Sequence, residues 1–227
     1  MKILKHIKID KEFNFDSKNN FTLCIENQIF FRSFIYSLKN QINEDLNNDF
    51  MLLDNNKEIK LSKVAFLIEN PLFINIDDKK INLAIQKDLS SKISLPQKEE
   101  YKILQNEIFK YVSNIILDFP LPLTYDNDLP ILNLLKLLSL QIDDKCESFL
   151  ENMILKIKTI SFLLNIKLFF FINLHDYLTQ EEFKLFTNEL KSLEISALYI
   201  TNHYPNYKNN EEFIVRIDYD LCELHIE

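Results

Sequence analysis

The chain has 227 residues, 47% of them hydrophobic, and a formal net charge of -8. That length fits one large domain or one domain with a sizeable insertion, and that composition supports a packed core and excludes wholesale disorder. The balance of 26 Lys and Arg against 34 Asp and Glu excludes a uniformly basic nucleic-acid coat and leaves room only for a local basic patch. There is no glycine. Glycine supplies positive φ and close backbone approach to phosphate. A working Walker A loop, dinucleotide fingerprint, kinase glycine loop or nucleophile elbow is therefore excluded.

The first third reads as strands with one helix. Ile3 to Ile9 alternates apolar and polar residues, and Phe21-Thr22-Leu23-Cys24-Ile25 is a short strand of buried character. Phe30, Phe34 and Leu38 give Ile29 to Leu38 helical spacing. Phe50 to Leu53 and Glu58 to Leu61 predict a hairpin turned at Asp54-Asn55-Asn56. Val64 to Glu69 is a further strand, closed by Pro71 because proline cannot donate to a ladder. Ile81 to Leu89 predicts a short helix.

The middle third reads as helical. Pro96 suits a first helical residue. Behind it Tyr101, Leu104, Ile108, Val112, Ile115 and Phe119 mark one packed face, and Pro120 and Pro122 stop the helix. Pro130 starts another through Ile131, Leu134, Leu135 and Leu138, and a long stripe runs from Cys146 to Leu164. The last third alternates strand, helix and strand. Lys167 to Ile172 is continuously apolar, as in a strand buried on both faces. Thr179 and Glu182 form a capping box, Ile195 to Thr201 is the next strand, and this crossover is an α/β signature. Phe213 to Ile217 and Leu221 to Ile226 predict a closing hairpin. The expected organisation is an α/β head, residues 1–95 and 166–227, carrying an α-helical extension, residues 96–165.

Chemistry-bearing residues are sparse. Cys24, Cys146 and Cys222 form no CxxC pair, and an odd count without a secretory leader points to free thiols in a reducing cytoplasm. Leu163 to Leu174 is interrupted by Asn165, Lys167 and Asn173 and is too short for a membrane span. No histidine pair has metal spacing, and His175-Asp176, after a buried strand, reads as a site loop or, more commonly, a solvated turn. The adjacent acids Asp77-Asp78 and Asp143-Asp144 read as turns or helix starts. Asp126 and Asp128 stand two apart before a helix, a pattern that suits either hard oxygen ligation of calcium or a helix cap at Asp128. Lys136, Lys145, Lys156, Lys158 and Lys167 fall in and after the helical third, where a shared face would read DNA phosphates and separate faces would simply be solvated.

Three blocks together resemble the CRISPR-associated Csn-two family: Phe21 to Ile35, Ile131 to Lys136, and Leu168 to Asn173 followed by Tyr177 to Thr179. The resemblance covers essentially the whole chain, in the family's order and spacing. It implies a degenerate ABC-type P-loop NTPase-like head with a helical extension, assembled as a homotetrameric ring. It also implies sequence-independent binding of double-stranded DNA ends, calcium in the assembled form, and support of spacer acquisition in type II-A CRISPR adaptation. The implied partners are the adaptation integrase complex and the type II effector nuclease, with no nucleotide cofactor and no known catalytic activity.

Several positions bear on that expectation. Glu26-Asn27-Gln28 stands where an active relative would carry its phosphate loop, and Asn173 stands where a magnesium-binding acid would end the strand. His203 looks like a relic of the ABC switch histidine. Asp126 and Asp128 match acidic family positions, whereas Pro120-Leu121-Pro122-Leu123-Thr124 lacks the acids the family carries there. Lys136 matches a DNA-contacting position, and Lys156 and Lys158 join it by helix location. A metal-dependent nuclease using Asp126 and Asp128, and a protein-only scaffold, are the alternatives.

Overall fold

The computed structural model describes residues 2–15, 20–74, 76, 78–143, 145–208 and 212–226. It divides into two units, Met1–Ile76 with Asp144–Glu227, and Asp77–Asp143. The first is an α/β unit with two sheets. Strands β1 (Lys2–His6), β2 (Ile9–Phe15), β4 (Phe50–Asp54) and β5 (Lys57–Ile59) form an antiparallel sheet in the order β2-β1-β4-β5.

The larger sheet has the order β10-β9-β3-β8-β7-β6, from β3 (Asn20–Ile25), β6 (Ala65–Ile68), β7 (Leu168–Ile172), β8 (Ser196–Thr201), β9 (Glu212–Ile217) and β10 (Glu223–Ile226). Its ladders are parallel except for β9 with the edge strand β10. Every residue of β7 is buried, because both faces of this sheet are covered. Leu168, Phe170 and Ile172 enter one core with Phe30, Phe34 and Leu38 of helix α1 (Gln28–Asn43) and with Leu4, Phe13 and Phe50 of the antiparallel sheet. Phe169 and Phe171 enter a second core against Met153, Ile157 and Ile160 of α6 (Phe149–Leu164) and Phe183 and Phe186 of α7 (Gln180–Ser192). The four-residue helix α2 (Leu61–Val64) leads directly into β6.

Asparagine takes several of the left-handed backbone positions that glycine would otherwise serve, while Asp45, Ser139, Glu194 and Leu221 hold others. Its short amide tolerates that region better than other side chains with a Cβ. Asn55 and Asn56 have φ of 49° and 64°, the double positive φ of a tight hairpin turn between β4 and β5. Asn165 ends α6 at φ 56°, and Asn173 follows β7 at φ 51°.

The second unit holds α3 (Asp78–Ser91), α4 (Leu95–Leu117) and α5 (Ile131–Leu137). The Gln97 side chain accepts from the Ser94 N–H at 2.9 Å, and Pro96 is the second helical residue, one place later than its spacing suggested. No residue of α4 is buried. The expected packed stripe is split: Tyr101, Ile108 and Val112 are half-buried, while Leu104, Ile115 and Phe119 are exposed. The unit boundaries fall near residues 76 and 144, whereas the sequence pattern placed them near 95 and 166. The helix α6 groups with the α/β unit because Met153, Ile157 and Ile160 pack beneath the parallel sheet.

Candidate functional site

In open parallel sheets, ligands bind at the carboxyl ends of the strands. Here β3 runs through Glu26 and Asn27 into α1, so the chain enters the helix where a phosphate loop would lie. Asn27 caps the helix, its Oδ1 accepting the Phe30 N–H at 3.0 Å, and its amide donates to the Tyr219 carbonyl at 2.9 Å. Glu26 is largely buried and pairs with Arg216 of β9 through two bonds, from Nε at 2.8 Å and from Nη2 at 2.9 Å. That two-pronged geometry is the strong form of a carboxylate–guanidinium contact. A carboxylate and its own cation therefore stand at the end of the central strand. Arg216 lies opposite Cys24 in the β3–β9 ladder, a pairing that only the crossover topology reveals.

Asn173, at the end of β7, accepts the Asn202 N–H at 3.2 Å through its Oδ1. His203 Nε2 lies 3.0 Å from Asp176 and its Nδ1 lies 2.8 Å from Asn202 Oδ1, so this imidazole is engaged by its neighbours. The solvated turn expected at His175 is corrected. His175 is buried, and its Nε2 lies 3.0 Å from Glu212 Oε1, which also accepts the Thr22 hydroxyl. Sequence reading missed this group because Thr22, His175 and Glu212 come from three distant segments. Burial and the nearby Glu212 charge push the Tyr199 hydroxyl up.

Asp126 and Asp128 lie on the exposed connection between α4 and α5. That connection is tied along α4. Tyr101 and Gln105 donate to the Leu129 carbonyl at 2.8 and 2.6 Å, and Tyr125 stacks on Phe109 with ring centroids 5.9 Å apart. Asp126 Oδ1 accepts the Asp128 N–H at 3.1 Å, a local turn. The cap expected at Asp128 is absent, since α5 begins after Pro130 with no side-chain cap bond. Calcium takes about six to eight oxygens. Among the described residues no group of three or more His, Cys, Asp or Glu is placed to hold a metal. Among the described residues of one chain, Asp126 and Asp128 are therefore too few to make a calcium site by themselves. Asp77 and Asp144 lie outside the described residues, and Asp78 opens α3.

The three candidate DNA-binding lysines fall in both units. Lys136 is exposed in the last turn of α5. Lys156 and Lys158 belong to α6, Lys156 half-buried and Lys158 exposed. Lys158 already pairs with Glu189 of α7 at 2.6 Å. Among the described residues, no helix is long and apolar enough to cross a membrane.

A family model described as CRISPR-associated protein (Cas_Csn2) matches residues 41–221. No curated protein matches the chain. Among solved structures, a bacterial Atm1-family ABC exporter with ATP bound is similar over 96% of this chain and 37% of that chain, at 9% identity and a TM-score of 0.43. The chain spans little more than a third of that exporter chain. A likeness of that size carries no argument about the fold, and the ABC-type head expected from the sequence is shown only as far as the general α/β class.

Proposed function

This chain belongs to the CRISPR-associated Cas_Csn2 protein family, and on that premise we propose that it is a non-catalytic protein that binds double-stranded DNA ends without reading their sequence. In this reading four copies close into a ring in the cytoplasm and support spacer acquisition beside the adaptation integrase complex and the type II effector nuclease. The family match is the observation that carries the reading. Three features of the chain support it.

The first is the end of β3, where Glu26 and Arg216 satisfy each other at 2.8 and 2.9 Å. A nucleotide phosphate brought there would meet a buried carboxylate, and the chain has no glycine to shape a cradle around it. The second is α4, whose Leu104, Tyr111 and Ile115 follow one another at helical spacing and are all exposed. An apolar stripe of that kind suits assembly between copies. The third is the exposed Lys136 and half-buried Lys156. With a net charge of -8, cations must gather where the duplex lies and acids elsewhere, which a closed ring allows.

The test is competition binding. A short labelled linear duplex is bound by the protein and challenged with unlabelled linear DNA or with relaxed circles of the same sequence. Linear DNA competes and circles do not if the ends are threaded; equal competition rejects threading, and no binding at all favours the protein-only scaffold. Incubation of the same DNA with Mg²⁺ or Mn²⁺ leaves it intact, and strand cleavage would establish the nuclease instead.

A further inference from the structure

The connection from β8 to β9 passes β3 and joins parallel strands. Crossovers of this kind are usually helical. Here residues 202–208 belong to no helix or strand. We propose that residues 202–208 are a releasable strap, latched onto residues 173–178 and covering a buried carboxylate–imidazole pair, Glu212 with His175. This device is independent of the DNA-binding reading.

The latch is a row of ties between two short segments. Asn202 N–H donates to Asn173 Oδ1 at 3.2 Å, and His203 Nε2 lies 3.0 Å from Asp176. The Tyr207 hydroxyl reaches the carbonyls of Leu178 at 2.7 Å and His175 at 3.3 Å. The Tyr207 ring covers His175 and Phe183, with centroids 5.4 and 5.8 Å away. Just past the strap, Glu212 meets His175 at 3.0 Å. The ties of Asn202, His203 and Tyr207 all land on one short stretch of chain, so they can be lost together without disturbing the ladders of β8 and β9.

The covered interior also favours release. Glu212 is 2% exposed and His175 5%. Beneath the Tyr207 ring, His175 Nδ1 is buried with no hydrogen-bond partner among the described residues. An unpaired buried polar atom costs free energy that contact with water removes. Closure therefore leaves His175 Nδ1 without a protein partner, and opening lets solvent reach it. A segment without ladder hydrogen bonds, opposed by such a cost, belongs to the low-stability end of a fold. Its opening brings Glu212, His175 and Thr22 into contact with solvent while the β3–β8–β7 ladders remain paired.

Native-state proteolysis with chymotrypsin tests the strap, because that protease cuts after both Tyr and Phe. Tyr207→Phe keeps the cleavage site and removes the hydroxyl that reaches two carbonyls. In native buffer, cleavage after residue 207 is expected about tenfold faster in this variant than in the parent, since one hydrogen-bonding group is lost from the closed state. Mass spectrometry identifies the fragments 1–207 and 208–227. In the parent, the rate at this bond should be insensitive to mild urea, because a local opening exposes little surface. If Tyr207→Phe is cut at the parental rate, or if the parental cut rises with urea in step with global unfolding, the segment opens only with the whole fold and the strap is rejected.

Discussion

Arg216, near the end of strand β9, and Glu26, between β3 and α1, are joined by two hydrogen bonds, at the strand end where an α/β protein would seat a phosphate. A guanidinium in that place is a phosphate ligand only when it is not already neutralised. Here its partner is largely buried and covalently tethered, so a competing anion must displace it.

The expected outcome is therefore no ATP turnover and no binding of a fluorescent ATP analogue. Glu26→Gln removes the carboxylate charge and leaves Arg216 in place, yet it supplies no glycine cradle, so turnover should remain absent. Phosphate release above a no-protein control that is abolished by Arg216→Ala would overturn this reading.

The exposed stripe on α4 gives a second expectation. Leu104, Tyr111 and Ile115 are 45%, 68% and 56% exposed, so introducing charge there disturbs no core of the single chain. Leu104→Glu combined with Ile115→Glu should leave the circular dichroism spectrum and thermal midpoint nearly unchanged. Native mass spectrometry at micromolar concentration should show four chains for the parent and fewer for the variant. A parent that stays monomeric rejects the ring, and a variant that stays tetrameric moves the interface elsewhere.

His6 predicts an acid-sensitive fold. Its ring sits among Phe30, Phe34 and Phe50, with centroids 6.0, 4.9 and 4.7 Å away, and its Nδ1 accepts the Lys8 N–H at 3.2 Å. Burial lowers its pKa from 6.5 to about 4. The unfolded chain therefore takes up this proton before the folded chain does. Above pH 6.5 the group has no effect on stability. As the pH falls from 6.5 towards 4, stability is lost progressively, by about 3 kcal/mol once both states are protonated. Urea denaturation across that range measures the slope. His6→Phe fits the apolar surroundings and carries no proton, so its stability should fall less steeply with acid; parallel slopes for the two proteins would remove His6 from the account.

The elements that pack on both sides were the most legible in the sequence. The continuous apolar run of β7 and the capping box of α7, in which the Glu182 carboxylate accepts the Thr179 N–H at 2.9 Å, are local patterns with local causes. The stripe of α4 misled because periodicity says which residues share a face but not whether anything covers it. The absence of glycine ruled out a working phosphate loop, and the structure adds that Asn55, Asn56, Asn165 and Asn173 take left-handed positions. The Glu212–His175–Thr22 group was invisible because strand order, rather than spacing, brings those segments together. Asp126 and Asp128 were legible as an acidic turn. Their chemistry was not, since ligation depends on oxygens that spacing cannot count.

The candidate DNA contacts differ in what they have to give. Lys158 is neutralised by Glu189 at 2.6 Å, so to meet a phosphate it must leave an existing pair. An exposed pair of this type is weak, of order 1 kcal/mol or less, and it is screened further by salt. Lys136 is exposed on its helix, and Lys156 is half-buried. Contacts to phosphate release counterions, so each one lost lowers the slope of log affinity against log salt by roughly one unit. Lys136→Ala with Lys156→Ala should therefore weaken binding equally for unrelated duplex sequences and reduce that slope by about two units. Adding Lys158→Ala should change the slope by less than a full further unit, because part of its charge is already spent on Glu189. The measurement is fluorescence anisotropy of a short linear duplex at several salt concentrations, for the parent and the two variants. If the double variant keeps the parental slope, these lysines face away from the duplex, and its phosphate contacts are to be sought among other cations of the chain.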